Sequence, residues 1–230
     1  MITSGLLDQL LKSGQSLLQD KGSKRPDNST NGAGGLADLL GGAGGSALAA
    51  GALGLLLGSN KSVRKIGGNA VTYGGLAALG VMAYKAYGNY QAQQNSLPAS
   101  EPQTIDRLPA PQAEQHSQAI LRALVAAAKA DGHIDDRERQ LIEGEFSKLT
   151  TDQNVQQWLA AELNKPLDPG EVARAASSPE MAAEMYLASL LMVDQQHFME
   201  RAYLDELARQ LQLAPTLKQE LEAQVQLSAA

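Results

Sequence analysis

The 230-residue chain contains no cysteine. Disulfide bonds, thiolate-ligated zinc, iron–sulfur clusters and a cysteine nucleophile are therefore excluded. Aromatic residues are also scarce, since Phe and Trp together number three, and no long β-type run of Val, Ile and aromatic residues occurs. The apolar content comes mainly from Leu and Ala, and 22 residues are Gly. This composition predicts an all-α protein.

The chain also lacks the motifs of common enzyme chemistry. It has no G-x-x-x-x-G-K-[ST] phosphate-binding loop, no Gly-rich loop after a strand pattern, and only scattered Ser, His and Asp residues. We therefore expect a protein that is not an enzyme.

The net charge of −6 is unevenly distributed along the chain. Residues 1–90 carry eight Lys and Arg against four Asp and Glu, whereas residues 91–230 carry eleven against twenty-one. A basic half beside apolar sequence is typical of proteins that contact an anionic membrane surface. The acidic half would be repelled by phosphates, so nucleic acid is not an expected partner.

A Gly-rich region over residues 32–90 contains two uncharged stretches. Ile66 to Tyr84 has nineteen residues, about the length that crosses a bilayer core of roughly 30 Å at ~1.5 Å per residue. It predicts a transmembrane helix over 66–84. Leu39 to Asn60 carries seven Gly, which allow close helix contact but lower helix propensity. The stretch therefore predicts a second span, a re-entrant arm or a flexible tract.

Charges and small residues around the predicted span indicate its topology and contacts. Basic residues are denser before it than after it, so the positive-inside rule places the C-terminal domain in the periplasm of a bacterial inner-membrane protein. Ala70, Gly74 and Ala78 form a small-xxx-small stripe, which favours helix–helix contact and predicts self-association through these faces. The expected partners are thus the lipid bilayer, a protein of unknown identity and a second copy.

Residues 1–31 are predicted to form an amphipathic helix followed by a polar linker. Leucines recur on one helical stripe between residues 4 and 20, namely Leu6, Leu7, Leu10, Leu11, Leu17 and Leu18. This helix either packs on the rest of the protein or lies in the membrane interface. A second linker, rich in Pro and Gln, is predicted over residues 91–112.

Residues 113–230 carry helix signals in quick succession. Helix starts are predicted at Thr151, at Asp168-Pro169 and at Ser178-Pro179, where a capping side chain precedes an apolar pattern. Six or seven short helices over this length predict a compact bundle with one core.

Two acidic turns are the candidate metal site. Asp131, Asp135 and Glu138 lie in the first turn, and a faint internal repeat places Asp194 and Glu200 in the second. If the two helix pairs pack with approximate two-fold symmetry, these carboxylates could meet around a hard cation such as Ca²⁺ or Mg²⁺. The alternative is structural, because Asp-Gly favours a turn and Asp135 with Glu138 has the spacing of a capping box.

Two stretches resemble known families. KSVRKIGGNAVTYGGLAALGVMAYKAYGNYQ, over residues 61–91, is similar to the YebE-like bacterial inner-membrane proteins of unknown function. Residues 115–228, with AAAKADGHIDDRE and LLMVDQQHFMERAYLDELARQLQL, resemble the TerB-like tellurite-resistance domain. The resemblance implies a helical domain at the cell envelope with an acidic patch that binds divalent metal. This chain departs from the family at Gln196, where the family often has a second Asp.

These observations lead to two functional hypotheses. The first is a non-enzymatic inner-membrane protein that presents an acidic helical interaction domain at the envelope, in a stress-related role. The second is a domain that binds or senses Ca²⁺, Mg²⁺ or Zn²⁺ through the acidic turns. No other cofactor is expected.

Overall fold

The computed structural model describes residues 3–8, 75–93, 101–130, 140, 142–144, 147, 150–193 and 197–229. Within these ranges all regular secondary structure is helical and there is no strand. The prediction of an all-α protein is confirmed.

Seven helices have defined bounds. They are α1 Gly75–Gln93, α2 Ala110–Ala127, α3 Gln153–Asn164, α4 Pro169–Ala173, α5 Pro179–Met192, α6 Phe198–Gln210 and α7 Pro215–Ala229. Residues 3–8 form a further short helical segment, and helical residues also occur between 140 and 147.

Short polar side chains determine where several helices begin. The Asp168 carboxylate accepts hydrogen bonds from the backbone N–H groups of Gly170 and Glu171, and the Ser178 hydroxyl accepts one from Met181. Both caps lie where the sequence predicted them. Helix α3 begins one residue later than predicted, because Asp152 rather than Thr151 accepts the bond from the N–H of Asn154. A carboxylate at this position satisfies an N–H that the helix leaves without a partner.

Helix α5 is the centre of the bundle. All residues from 181 to 190 are buried, and α5 packs against α1, α2, α6 and α7. A helix that is buried on every side cannot keep polar groups unless its neighbours bind them. The hydroxyl of Tyr186 donates to Glu222 of α7 at 2.8 Å, and the hydroxyl of Ser189 donates to the carbonyl of Ala123 in α2 at 3.4 Å.

Helix α1 contains the second half of the predicted transmembrane span. Leu79, Ala83 and Ala86 form one buried stripe in the core shared with α5 and α7, whereas Val81 and Lys85 are exposed. The apolar residues of 75–84 therefore contact protein along one face of the helix. In the part of the chain that the structure describes, no helix is long and apolar enough to cross a membrane. The transmembrane prediction is thus not supported, and residues 66–74 and the second uncharged stretch at 39–60 lie outside the described ranges.

Polar contacts attach the C-terminal end of α1 to the bundle. The side-chain amides of Asn89 and Gln93 donate to the two carboxylate oxygens of Glu220 in α7, at 3.1 and 2.6 Å. The predicted linker at 91–112 therefore starts inside α1, and it ends inside α2.

The N-terminal segment 3–8 also lies on the bundle. Leu6 is 4% exposed and Leu7 is fully buried, and both belong to the same core as α1 and α2. For these residues the structure agrees with the packing alternative for the amphipathic helix. The rest of the predicted helix, up to residue 20, lies outside the described ranges.

Two glycines of α1 provide a matched test of this packing. A methyl group at Gly80 would collide with the carboxylate of Asp106, which accepts a hydrogen bond from Thr104 at 2.6 Å, whereas a methyl group at Gly88 would meet nothing within 4 Å. Replacing an exposed helical Gly by Ala stabilises a helix by up to ~1 kcal/mol. We expect Gly88→Ala to raise the free energy of unfolding by about this amount and Gly80→Ala to give no gain or a loss. Urea denaturation measures both, and equal gains would contradict the close approach of residues 104–106 to α1.

Candidate functional site

The structure describes one of the five predicted metal ligands. Glu200 lies in the first turn of α6 and is 1% exposed. Asp131, Asp135, Glu138 and Asp194 lie outside the described residues. Within the described ranges, no group of three or more His, Cys, Asp or Glu side chains is arranged to hold a metal ion. Because four of its five residues lie outside the described ranges, the metal site stays a prediction.

The predicted helix-packing stripe is likewise only partly described. Ala78 lies in the first turns of α1 and is half-buried, whereas Ala70 and Gly74 lie outside the described residues. The neighbouring Leu79 is the residue of these turns that enters the core. Contact between copies through the stripe stays a prediction.

A buried acid–histidine pair lies between α2 and α5. Nδ1 of His116 is 2.5 Å from a carboxylate oxygen of Glu184, and the Glu184 side chain is fully buried. The other carboxylate oxygen accepts a hydrogen bond from the backbone N–H of Ile105 at 2.6 Å. The single carboxylate of Glu184 therefore connects three parts of the chain: the central helix, α2 and the segment 101–109 that precedes α2.

Burial dominates the electrostatics of this pair. It raises the pKa of Glu184, while the hydrogen bonds from His116 and Ile105 oppose the rise and the nearby charge of Asp106 adds to it. A carboxylate in such a place is tolerated because both of its oxygens have partners. The arrangement fixes the position of the segment 101–109, and nothing in its enclosed geometry brings a substrate to it.

The segment 101–109 is a folded part of the domain. Thr104 and Ile105 are buried, and the N–H of Arg107 donates to the carbonyl of Thr104, which closes a turn. The Arg107 guanidinium lies 3.9 Å from the ring centroid of Tyr84 in α1, an arrangement typical of cation–π contacts. Tyr84, the last residue of the predicted span, therefore makes a contact within the protein.

A network of charged groups joins α2, α3 and α4. Oε1 of Glu162 accepts bonds from Arg122 at 2.9 Å and from Lys165 at 2.8 Å, and Lys165 also donates to Glu171 at 2.7 Å. Lys129 donates to the backbone carbonyls of Glu162 and Lys165. These cations are bound by acceptors of the same domain, so the network is explained by packing of the three helices.

The described residues form an open groove of about 630 Å³. Tyr87 and Tyr90 of α1 line one wall, with ring centroids 5.9 Å apart at 75°, and the loops around Arg174 and Gln212 line the other. Aromatic side chains are enriched in protein interfaces, and Arg is too. The groove therefore combines residue types that are common in interfaces.

Sequence reasoning did not find the buried pair or the groove. His116 and Glu184 are 68 positions apart, and the apolar pattern of each helix predicts other residues as the ones that face the core. Ile105 lies in the predicted linker, which is rich in proline and glutamine, and was therefore not recognised as a buried residue. The sequence feature that marks it is an apolar residue between Thr104 and Asp106, whose side chains form a hydrogen bond with each other.

Comparison with known proteins identifies a family but no function. Residues 42–225 match the model of a family described as "Protein of unknown function (DUF533)". A protein of Yersinia enterocolitica, named "Uncharacterized protein in ampR 5'region", is 33% identical over 112 residues, which cover 49% of this chain and 81% of that protein. No solved structure matches the chain.

Two histidines provide a matched test of the buried pair. We expect His116→Ala to lower the free energy of unfolding by ~3 kcal/mol at neutral pH, because it leaves the Glu184 carboxylate buried without one of its partners. His197→Ala is the control, since His197 is exposed and makes no capping hydrogen bond. Urea denaturation compares the two, and losses of similar size would show that the pair has no special role in stability.

Proposed function

The chain belongs to the DUF533 family, a family of proteins of unknown function, and we propose that it acts as a non-enzymatic protein of the bacterial inner membrane. In this proposal its acidic helical domain binds a partner protein close to the bilayer. The observation that carries it is the docking of two parts of the basic, apolar half, residues 3–8 and α1, on the acidic half. The basic half, residues 1–90, and the acidic helical half, residues 91–230, would then act as one unit.

The docking also bears on topology. Residues 3–8 and α1 both lie on the bundle. In our proposal, residues 9–74 therefore begin and end on the same side of the membrane while the N-terminal segment is docked. A single crossing would separate Leu7 from its core, which favours an even number of crossings or attachment at the surface. In our proposal the Gly-rich region 32–74 makes the membrane contact. It contains the uncharged stretch 39–60, residues 66–74 of the other uncharged stretch, and the basic residues Lys61, Arg64 and Lys65.

The partner would bind in the groove lined by Tyr87 and Tyr90. Its two aromatic rings and the exposed Arg174 are the residue types that are enriched in interfaces, and its volume of about 630 Å³ suits the insertion of side chains. The groove includes a wall of α1, so a partner would contact both halves of the chain at once.

The resemblances to the YebE-like proteins and to the TerB-like domain support the same proposal. The resemblance to a TerB-like domain implies a helical domain, and the sequence of this chain predicts two similar helix pairs. In the structure α2 and α5, the first helices of the two proposed pairs, pack against each other. We infer that residues 113–230 form a TerB-like domain and that the chain is a YebE-like envelope protein. The periplasmic position of this domain is part of the proposal, and labelling of exposed positions tests it directly.

Divalent-cation binding is the second candidate function, and the position of Glu200 favours it. This carboxylate lies in the first turn of α6, within the second acidic turn of the sequence. Asp194 and the first acidic turn are the residues that would complete a site for Ca²⁺ or Mg²⁺.

Cell fractionation tests membrane association. We expect the full-length protein to sediment with membranes, because a basic region with uncharged stretches is held beside the domain. Since the chain has no cysteine, single exposed positions can be labelled selectively after Gly5→Cys or Gln157→Cys. A membrane-impermeant maleimide applied to intact spheroplasts is expected to label both or neither, and labelling of both would place the domain in the periplasm. Recovery in the soluble fraction, or labelling of only one position, would contradict the proposal.

Calorimetry tests the second candidate. If the acidic turns bind a divalent cation, titration of the full chain with Ca²⁺, Mg²⁺ or Zn²⁺ gives heat, and Asp131→Asn or Asp194→Asn weakens binding at least tenfold. Asp205→Asn is the control, because Asp205 is exposed and pairs with Lys218 at 2.7 Å, away from the turns in sequence. Absence of heat with all three cations would rule out this function.

A further inference from the structure

The N-terminal segment 3–8 is attached to the bundle by one carboxylate and two leucines. Glu114 of α2 accepts hydrogen bonds from the backbone N–H and the hydroxyl of Thr3, at 2.5 and 2.6 Å, and from the N–H of Ser4 at 3.1 Å. Leu6 and Leu7 enter the core. The carboxylate therefore satisfies N–H groups that the first turn of a helix leaves without partners, from a position 111 residues away along the chain.

The carboxylate of Glu114 is ionised when it holds the segment. Partial burial raises its pKa, but the hydrogen bonds from Thr3 and Ser4 outweigh that effect and keep the pKa below the ordinary value of 4.5. A negative charge at the N-terminus of a helix is also favoured by the helix dipole.

This attachment is small compared with the rest of the core. A helical segment of this length does not form by itself in water, so it is ordered by its contacts with α2 and the core. Residues 9–74 separate it from α1, which leaves a long connection to the nearest described helix. Segments with few contacts are the ones that open first in a folded protein.

The residues that hold the segment on the bundle are also those that would enter a membrane. In the sequence, Leu10, Leu11, Leu17 and Leu18 continue the helical stripe that starts with Leu6 and Leu7, and four basic residues follow between positions 12 and 25. An amphipathic helix of this kind binds at the interface of a bilayer that contains anionic lipid. Leu6 and Leu7 cannot be in the protein core and in lipid at the same time.

We propose that Leu6 and Leu7 of the N-terminal segment bind an anionic lipid surface and that Glu114 competes with the lipid by holding these leucines on the bundle. The inference rests on the membrane association proposed above and adds which residues contact lipid and what regulates them. In the docked form the leucines are covered, and in the lipid-bound form they leave the core while α2 to α7 remain folded.

A fluorophore at one position distinguishes the two forms. Gly5 is exposed in the docked segment, so Gly5→Cys accepts an environment-sensitive dye without changing the leucines. We expect the dye emission to shift to the blue with vesicles of phosphatidylcholine and phosphatidylglycerol and to stay unchanged with phosphatidylcholine alone.

Variants of the labelled protein test the role of Glu114. Glu114→Gln keeps the size of the side chain but weakens its hold on Thr3 and Ser4, so the blue shift is expected at several-fold less lipid. Glu220→Gln is the matched control, because Glu220 binds Asn89 and Gln93 elsewhere on the bundle, and it should respond like the unaltered protein. Leu6→Ser with Leu7→Ser should abolish the shift, and circular dichroism will show that the remaining helices stay folded.

Flotation of the same samples separates this inference from the proposed function. The protein could float with anionic vesicles while the dye at position 5 shows no blue shift in either the unaltered or the Glu114→Gln protein. In that case membrane association stands and the inference on Leu6, Leu7 and Glu114 is wrong. Equal lipid requirements for Glu114→Gln and Glu220→Gln would also overturn it. If the protein does not float at all, both proposals fail.

Discussion

The fold depends on burying α5 on every side. A helix in this position can carry Glu184, Tyr186 and Ser189 only if each of these side chains finds a partner, because an unpaired polar group in the core costs more than a hydrogen bond gains. The partners come from α2, from α7 and from the segment 101–109, so each of these parts is held in one register against α5. The central helix thus specifies the arrangement of the bundle by its polar residues as well as by its apolar ones.

The same apolar surfaces serve the protein core and are candidates for contact with lipid. Two stretches that the sequence analysis connects with a membrane contribute apolar residues to the core of the bundle. These residues are Leu79 and Ala83 of α1 and Leu6 and Leu7 of the N-terminal segment. Length and hydrophobicity do not distinguish burial in protein from burial in lipid, since both environments favour the same residues. The membrane association that we propose is therefore a competition between two apolar environments.

Local signals predicted the helical class and the helix starts at Asp168 and Ser178, because capping depends on residues three or fewer positions apart. The predicted metal ligands gave no such outcome, since four of the five lie outside the described residues. Contacts between distant residues were not predictable: His116 and Glu184 have no pattern in common, and the buried Ile105 stands in sequence rich in proline and glutamine. Gly80 shows the same limit, because its close contact with Asp106 exists only after α1 has packed.

The position of the segment 101–109 has a consequence for how the chain can be divided. Sequence composition suggests cutting before residue 113 to obtain the helical domain alone. Such a fragment would lack the N–H of Ile105 that binds Glu184, and it would lose α1, whose Leu79 and Ala86 cover α5 and α7. A fragment that keeps these two contacts must include α1 from Gly75, so the folded unit includes part of what the sequence assigns to the membrane region.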